Sequence, residues 1–220
     1  DYVFSGANPI PFMLPNGMKE IQYFTNWQLS EDQVNKFPAF TLSEFKTSSN
    51  FHYGLNFLMI SDLEVMESIP YLEGRKDVVV ILQSNNAHKM AALRRAFVTL
   101  MENHCLAPVV VLVNYPVQDS DKTMLYAATD VGGLLVDGLG EGIMLGIGAY
   151  ENKDRGMVLD QIKLHNSVGF GVLQAARTRM SKTEYISCPS CGRTMRMWRA
   201  SSTVAGASTL SPGMCAYQPS

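Results

Sequence analysis

The sequence has no apolar run of the roughly 18 residues that a membrane-spanning helix needs, so it carries no ordinary membrane span. It is also poor in charge. Asp, Glu, Lys and Arg make up 17% of the residues and the net charge is −2, so no basic surface argues for nucleic acid. There are four cysteines, at 105, 188, 191 and 215, too scattered for the disulfide framework of a secreted domain. That usage points to a reducing compartment, where close cysteines bind metal or do redox work. The four histidines, at 52, 88, 104 and 165, are never paired at zinc-ligand spacing. The first residue is Asp1 rather than Met, and no charged-then-apolar leader follows. The chain reads as an internal piece of a longer protein or a processed product.

What is present is a globular core. Hydrophobic residues make up 46% of 220 residues, enough for one large domain or one and a half smaller ones. Residues 1–50 are broken by Pro9, Pro11 and Pro15; short helices are expected at Glu31–Phe37 and Leu42–Phe45, and a strand at Phe57–Ile60. From Asp77 the pattern is regular. Val78–Leu82 is a β-branched run typical of a strand buried on both faces. Helices are expected over 87–102 and 119–128, and strands over 108–113, 133–137 and 142–146. Alternating strands and helices argue an α/β fold with a parallel sheet, wound open or into a barrel. A helix over Val158–Arg177 places Leu159, Ile162, Val168, Val172 and Leu173 on its apolar side. Cys105 reads as a small core residue at a helix end. Residues 195–220 lose all periodicity and read as a tail without regular structure.

Three motifs carry chemistry. Cys188-Pro-Ser-Cys191 follows a short extended segment, Thr183–Ser187. Two thiolates three residues apart can close on one metal, and by pattern alone an iron–sulfur cluster, a zinc site and a redox pair all stay open. Asp137-Gly-Leu-Gly-Glu-Gly142 departs from the phosphate-binding glycine spacing and reads as a tight turn. Arg177, Arg179 and Lys182 form a basic cluster before the cysteines. They would suit an anionic, phosphorylated substrate, or equally a helix C-terminus, where cations offset the dipole.

The stretch Leu173-Gln-Ala-Ala-Arg-Thr-Arg-Met-Ser-Lys-Thr-Glu-Tyr-Ile-Ser-Cys-Pro-Ser-Cys-Gly-Arg-Thr194 closely resembles the entry to the iron–sulfur domain of the 4-hydroxy-3-methylbut-2-enyl diphosphate synthase family. Thr129-Asp-Val-Gly-Gly-Leu-Leu-Val-Asp-Gly-Leu-Gly-Glu-Gly142 resembles the end of the insert domain in that family's long form. The resemblance runs from about Asp77 to Thr194. It implies an N-terminal TIM barrel that binds a cyclic diphosphate, a TIM-barrel-like insert, and an α+β domain holding a 4Fe-4S cluster on three cysteines and one glutamate. Ferredoxin or flavodoxin would supply two electrons to open the ring of the small-molecule diphosphate substrate. Cys188 and Cys191 match the first two cluster ligands, and Arg177 and Arg179 become candidates for substrate binding.

The family's third cysteine and glutamate lie in a Gly-Cys-Ile-Val-Asn-Gly-Pro-Gly-Glu motif that has no counterpart here, and Cys215 lacks those flanks. The expected organisation is an insert α/β domain over 1–165, a linker helix and the start of the 4Fe-4S domain over 166–194, and an aberrant tail over 195–220. The expected function is that of an iron–sulfur oxidoreductase fragment of isoprenoid biosynthesis, inactive by itself. Its expected compartment is the bacterial cytoplasm or, alternatively, the plastid stroma. The alternative is a non-catalytic α/β binding domain with a zinc-ribbon-like end.

Overall fold

Seven short segments in which every second side chain is apolar become parallel strands in a computed structural model that describes residues 2–148, 154–187 and 214–217. They are β1 (Tyr2–Gly6), β2 (Lys19–Tyr23), β3 (Lys36–Thr41), β4 (Asn56–Ser61), β5 (Val78–Gln83), β6 (Val109–Tyr115) and β7 (Gly142–Ile147). Each pairs in parallel with its successor, so the sheet order is the sequence order. The helices between them are α1 (Phe24–Gln28), α2 (Leu42–Thr47), α3 (Val65–Leu72), α4 (Lys89–Glu102), α5 (Ser120–Ala127) and α6 (Gly133–Val136). Helix α7 (Arg155–Ala175) follows β7. The chain divides into two units, Asp1–Thr178 and Arg179–Ser220.

Strand alternation sorts the side chains onto two buried faces. Leu58 and Ile60, Val78, Val80 and Leu82, and Val109, Val111 and Val113 face the helices, where they meet Trp27, Phe45, Leu93, Phe97 and Leu134. The intervening residues Phe37, Ala39, Phe57, Ile81 and Leu112 form a second core on the opposite face, against which Phe4 and Met144 pack. The sheet is curled around that second core. The ring of Tyr2 on β1 lies 5.3 Å from that of Phe57 on β4. Three strand spacings of a flat sheet would separate them by about 14 Å.

The regular part of the chain matches its sequence pattern: β4, β5, β6, β7, α2, α4, α5 and α7 lie where strands and helices are expected. Helix α2 starts on a full capping box, in which Thr41 accepts from the Glu44 backbone and the Glu44 carboxylate accepts from the Thr41 N–H. Two expectations fail. The Glu31–Phe37 helix does not form: the Asp32 carboxylate accepts from the N–H groups of Val34 and Asn35, a local turn that competes with helix, and Phe37 lies in β3. Residues 133–137 are not a strand but α6, reached from α5 through a π-turn at Ala128–Gly132. A four-residue apolar run carries no period, and Leu134 and Leu135 are buried equally well from a helix. Helix α7 packs on β7, where Gly169 lies against Ile143 and Leu145.

Two further corrections concern details. Leu159 and Ile162 are 49% and 45% exposed, while α7 buries Gln161 and His165 instead. Within the tail, Met214–Tyr217 forms strand β9, paired antiparallel with β8 (Glu184–Ser187). Cys105 is a free thiol packed, partly buried, against the helix-side core. Phe40, with no exposed surface, stacks on Phe24 and meets Phe45 and Phe51. Replacing Phe40 by Ala should lower unfolding free energy by about 3–5 kcal/mol in urea titrations. Leu106→Ala, at a 94% exposed position, should stay within about 0.5 kcal/mol.

Candidate functional site

The basic and cysteine motifs follow the end of α7 in the sequence. That helix closes on a Schellman motif, in which the Arg177 N–H bonds Gln174 O and the Thr178 N–H bonds Leu173 O, both at 3.0 Å. The residue after the cap must then be left-handed, and Arg177 has φ 60°. Arg177 and Arg179 are both exposed, two residues apart at the foot of the helix. The first therefore serves a helix end by its backbone, whatever its guanidinium does. Beyond it β8 stops at Ser187, and β9 places Cys215 in register with Ile186. Cys188 and Cys191 lie outside the described residues.

Helices α4 and α6 end in the same way. Cys105 N–H reaches Leu100 O with His104 at φ 54°, and Leu139 N–H reaches Leu134 O with Gly138 at φ 76°. Only the second uses glycine. The Asp137–Gly142 loop is thus a helix stop followed by a tight turn, as its spacing implies. A Cβ on Gly140 (φ 88°) would sit 3.4 Å from Val109 O, and Glu141 accepts the Val109 N–H at 2.6 Å. A carboxylate anchored there makes the loop a poor phosphate cradle.

The polar groups that sequence reasoning missed lie between α5, the π-turn and α7. Tyr115, at the end of β6, is buried and donates to the Asp130 carboxylate at 2.9 Å. Burial, reinforced by that negative charge, pushes the Tyr115 hydroxyl far above its usual range, so it stays a donor. Gln161 lies 3.4 Å from the Thr123 hydroxyl and 3.1 Å from His165 Nε2. The His165 ring stands edge-on to Tyr115, with centroids 6.3 Å apart. Burial lowers the His165 pKa, with the Leu145 backbone opposing it. The available signal was Thr129-Asp-Val-Gly-Gly, whose aspartate sits in the π-turn, a local geometry often retained for a reason.

A second polar cluster holds the helix-free crossover from β1 to β2. Beside it opens a cleft of about 400 Å³ lined by Ile10, Leu14, Lys19, Glu20, Asp32 and Lys36. Burial raises the Glu20 carboxyl, but bonds from Ser5, Gln22 and the Ile10 N–H, with Lys36 at 3.8 Å, outweigh it and leave it below its usual range. Those partners satisfy Glu20 as an anchor for the crossover. Among the described residues, no group of three or more His, Cys, Asp and Glu could hold a metal ion.

Two outcomes are expected. Replacing His104 or Arg177 by Gly should raise stability by about 1 kcal/mol each, because glycine removes the left-handed strain, whereas Gly138→Ala should lower it by a similar amount; chemical denaturation checks all three. His165 has a folded-state pKa below its unfolded value of 6.5. Above that pH both states are neutral and nothing is gained or lost. As pH falls through it, the unfolded chain takes up a proton that the folded chain refuses, so stability declines until the lower folded pKa is passed. Urea midpoints at about pH 7.5 and about pH 5.5 should differ less in His165→Gln than in the parent chain.

Comparison with known proteins adds to this geometry. The 4-hydroxy-3-methylbut-2-en-1-yl diphosphate synthase (flavodoxin) of Parabacteroides distasonis is 33% identical over 196 residues, 89% of this chain and 30% of that protein. The 4-hydroxy-3-methylbut-2-en-1-yl diphosphate synthase (ferredoxin), chloroplastic, of Arabidopsis thaliana is 39% identical over 140 residues, 61% of this chain and 17% of that protein. The flavodoxin-type synthase of Protochlamydia amoebophila is 40% identical over 116 residues, 53% of this chain and 16% of that protein. No family model matches the chain. No solved structure matches it. Over the stretch that aligns, the chain belongs to the 4-hydroxy-3-methylbut-2-en-1-yl diphosphate synthase family, and it spans about 30% of the length of its Parabacteroides relative.

Proposed function

We propose that these residues form part of a synthase that reductively opens a cyclic diphosphate of methylerythritol to give 4-hydroxy-3-methylbut-2-enyl diphosphate in isoprenoid biosynthesis. The observation that carries this reading is the alignment of 89% of the chain with a relative of that name. The first unit, with its curled sheet and sequential strand order, would be the TIM-barrel-like insert domain. The second unit would be the start of the iron–sulfur domain, with Cys188 and Cys191 as two thiolate ligands of a 4Fe-4S cluster. When bound, such a cluster supplies the electrons for removing the hydroxyl as water.

The chain's own contribution is positional. Helix α7 stops on a Schellman cap where the first unit ends, and β8 runs to the residue before Cys188. Arg177 and Arg179 would offer positive charge to a diphosphate. The electron donor would be flavodoxin or ferredoxin, the two named for the relatives. Among the described residues no helix is long and apolar enough to cross a membrane, and the proposed location is the bacterial cytoplasm, or else a plastid stroma.

The pairing of β8 with β9, which sets Cys215 opposite Ile186, favours one second reading: a zinc-ribbon-like end on a non-catalytic binding domain. Metal analysis of anaerobically purified full-length protein separates the two. Iron and sulfide with cluster absorbance, lost in Cys188→Ser and in Cys191→Ser, is the expected result. Stoichiometric zinc without that absorbance would sink the iron–sulfur reading.

A further inference from the structure

In a parallel sheet the segments that lead back into the strands all arrive at one pole, beside the strands' N-terminal ends. In the first unit these segments are studded with apolar side chains. Met13, Tyr53 and Leu106, ahead of β2, β4 and β6, are 95%, 82% and 94% exposed, and Phe12 and Val34 are more than half exposed. The loops at the opposite pole, 62–64, 84–88 and 116–119, expose a single large apolar side chain, Leu63.

Exposed apolar residues scattered singly are ordinary, but several of these are joined. Tyr53 stacks on His52 with ring centroids 4.6 Å apart, His52 stands edge-on to Phe37 at 4.7 Å, and Phe37 meets Tyr2 at 5.9 Å. Lys19 Nζ sits 6.0 Å over the Phe37 ring, and Lys19 also lines the cleft that holds Phe12 and Met13. A buried donor at this pole is unpaired. His52 Nδ1 accepts from the Gly54 and Leu55 N–H groups, which leaves the proton on Nε2, and Nε2 is buried without a hydrogen-bond partner among the described residues.

Both ends of the first unit lie at the same pole. Strand β1 begins there at Tyr2. Helix α7 runs back along β7: His165 lies beside Tyr115, at the end of β6, and Gly169, one turn on, lies beside Ile143, near the start of β7. Its cap at Arg177 therefore reaches the pole where the strands begin.

We infer that this apolar pole is a docking face, and that its occupant is the domain of the same polypeptide that precedes Asp1 in the full-length protein. The chain spans about 30% of the Parabacteroides protein, so ample polypeptide lies outside it to cover the pole. Tyr2 is itself part of the apolar surface, so the chain before it starts within the face. A domain tethered there meets Tyr53 and Phe12 at high effective concentration, whereas an unlinked partner must first give up its translational and rotational freedom. Aromatic side chains such as Tyr2, Phe12 and Tyr53 are the usual anchors of such contacts. The docking takes from the proposed function only that a further domain precedes this chain, and nothing of the cluster chemistry.

Photo-cross-linking in the purified full-length protein tests the docking. Benzoylphenylalanine placed at Tyr53 or at Leu106 should give products at monomer mass, joined to peptides N-terminal to Asp1. Placed at Leu63, on the opposite pole, it should give at least about 10-fold less of them. Products at dimer mass would overturn the assignment in favour of a second copy, and cross-links to residues beyond Thr178 would overturn it in favour of the following domain. A yield at Tyr53 and Leu106 no higher than at Leu63 would leave the pole facing solvent and overturn it outright. Tyr53→Glu combined with Leu106→Glu should also speed limited proteolysis between the domains by at least about 10-fold, and Leu63→Glu should not; equal rates refute the docking. Iron is measured on the same samples. Expected cross-links on a protein without iron or cluster absorbance would sink the proposed function and leave the docking face standing, while a cluster-loaded protein without them sinks the docking alone.

Discussion

A sheet that must bury both of its faces sets the terms for the first unit. Parallel strands need crossovers, and because the strands follow one another in sequence order with crossovers of one hand, the helices lie on one side. The other side, with Phe37, Phe57, Ile81 and Leu112, is buried by curling the sheet on itself. Everything else follows from that geometry. Helices α2, α5 and α7 begin on side-chain caps from Thr41, Asp119 and Asp154. The inner core must be filled by residues from distant strands, which is why Tyr2 meets Phe57.

The caps show how the chain meets the demand for abrupt stops. Three helices end in Schellman motifs, but only α6 uses glycine for the left-handed residue; α4 uses His104 and α7 uses Arg177. At α7 the cost coincides with the point where the chain leaves the first unit. A basic residue there suits both the helix dipole and an anionic ligand. The π-turn between α5 and α6 is the other irregularity, and the Tyr115–Asp130 bond pins it to the end of β6. The buried Thr123, Gln161 and His165 side chains then hold α7 against α5. This region contains the Thr-Asp-Val-Gly-Gly stretch that carries part of the family resemblance.

How much of this was legible depended on where each element sits. Strands β5 and β6 are central, flanked by strands on both sides and covered on both faces, so Val78–Leu82 and Val109–Val113 announce themselves as unbroken apolar runs. The first three strands do not. Strand β2 contains the buried Glu20 and Gln22: Ser5, the Ile10 N–H and the Gln22 amide all donate to Glu20, while the buried Gln22 carbonyl has no hydrogen-bond partner among the described residues. Strand β3 contains Pro38, tolerated because its ladder with β4 begins only at Ala39. The inward face of α7 was misread for the same reason as β2. Gln161 and His165 look solvent-facing until their partners are known, and Leu159 and Ile162 look buried until the sheet's position is known.

By itself the sequence determined the class of fold, the central strands and long helices, and the family. Those rest on local periodicity and on contiguous motifs, which need no partner to be read. Tertiary structure alone decided that the sheet curls around a second core, that polar residues fill the interior at Glu20 and His165, and that residues 133–136 are helical. Each of these depends on groups distant in the chain coming together, and no local pattern encodes the energy of such a meeting.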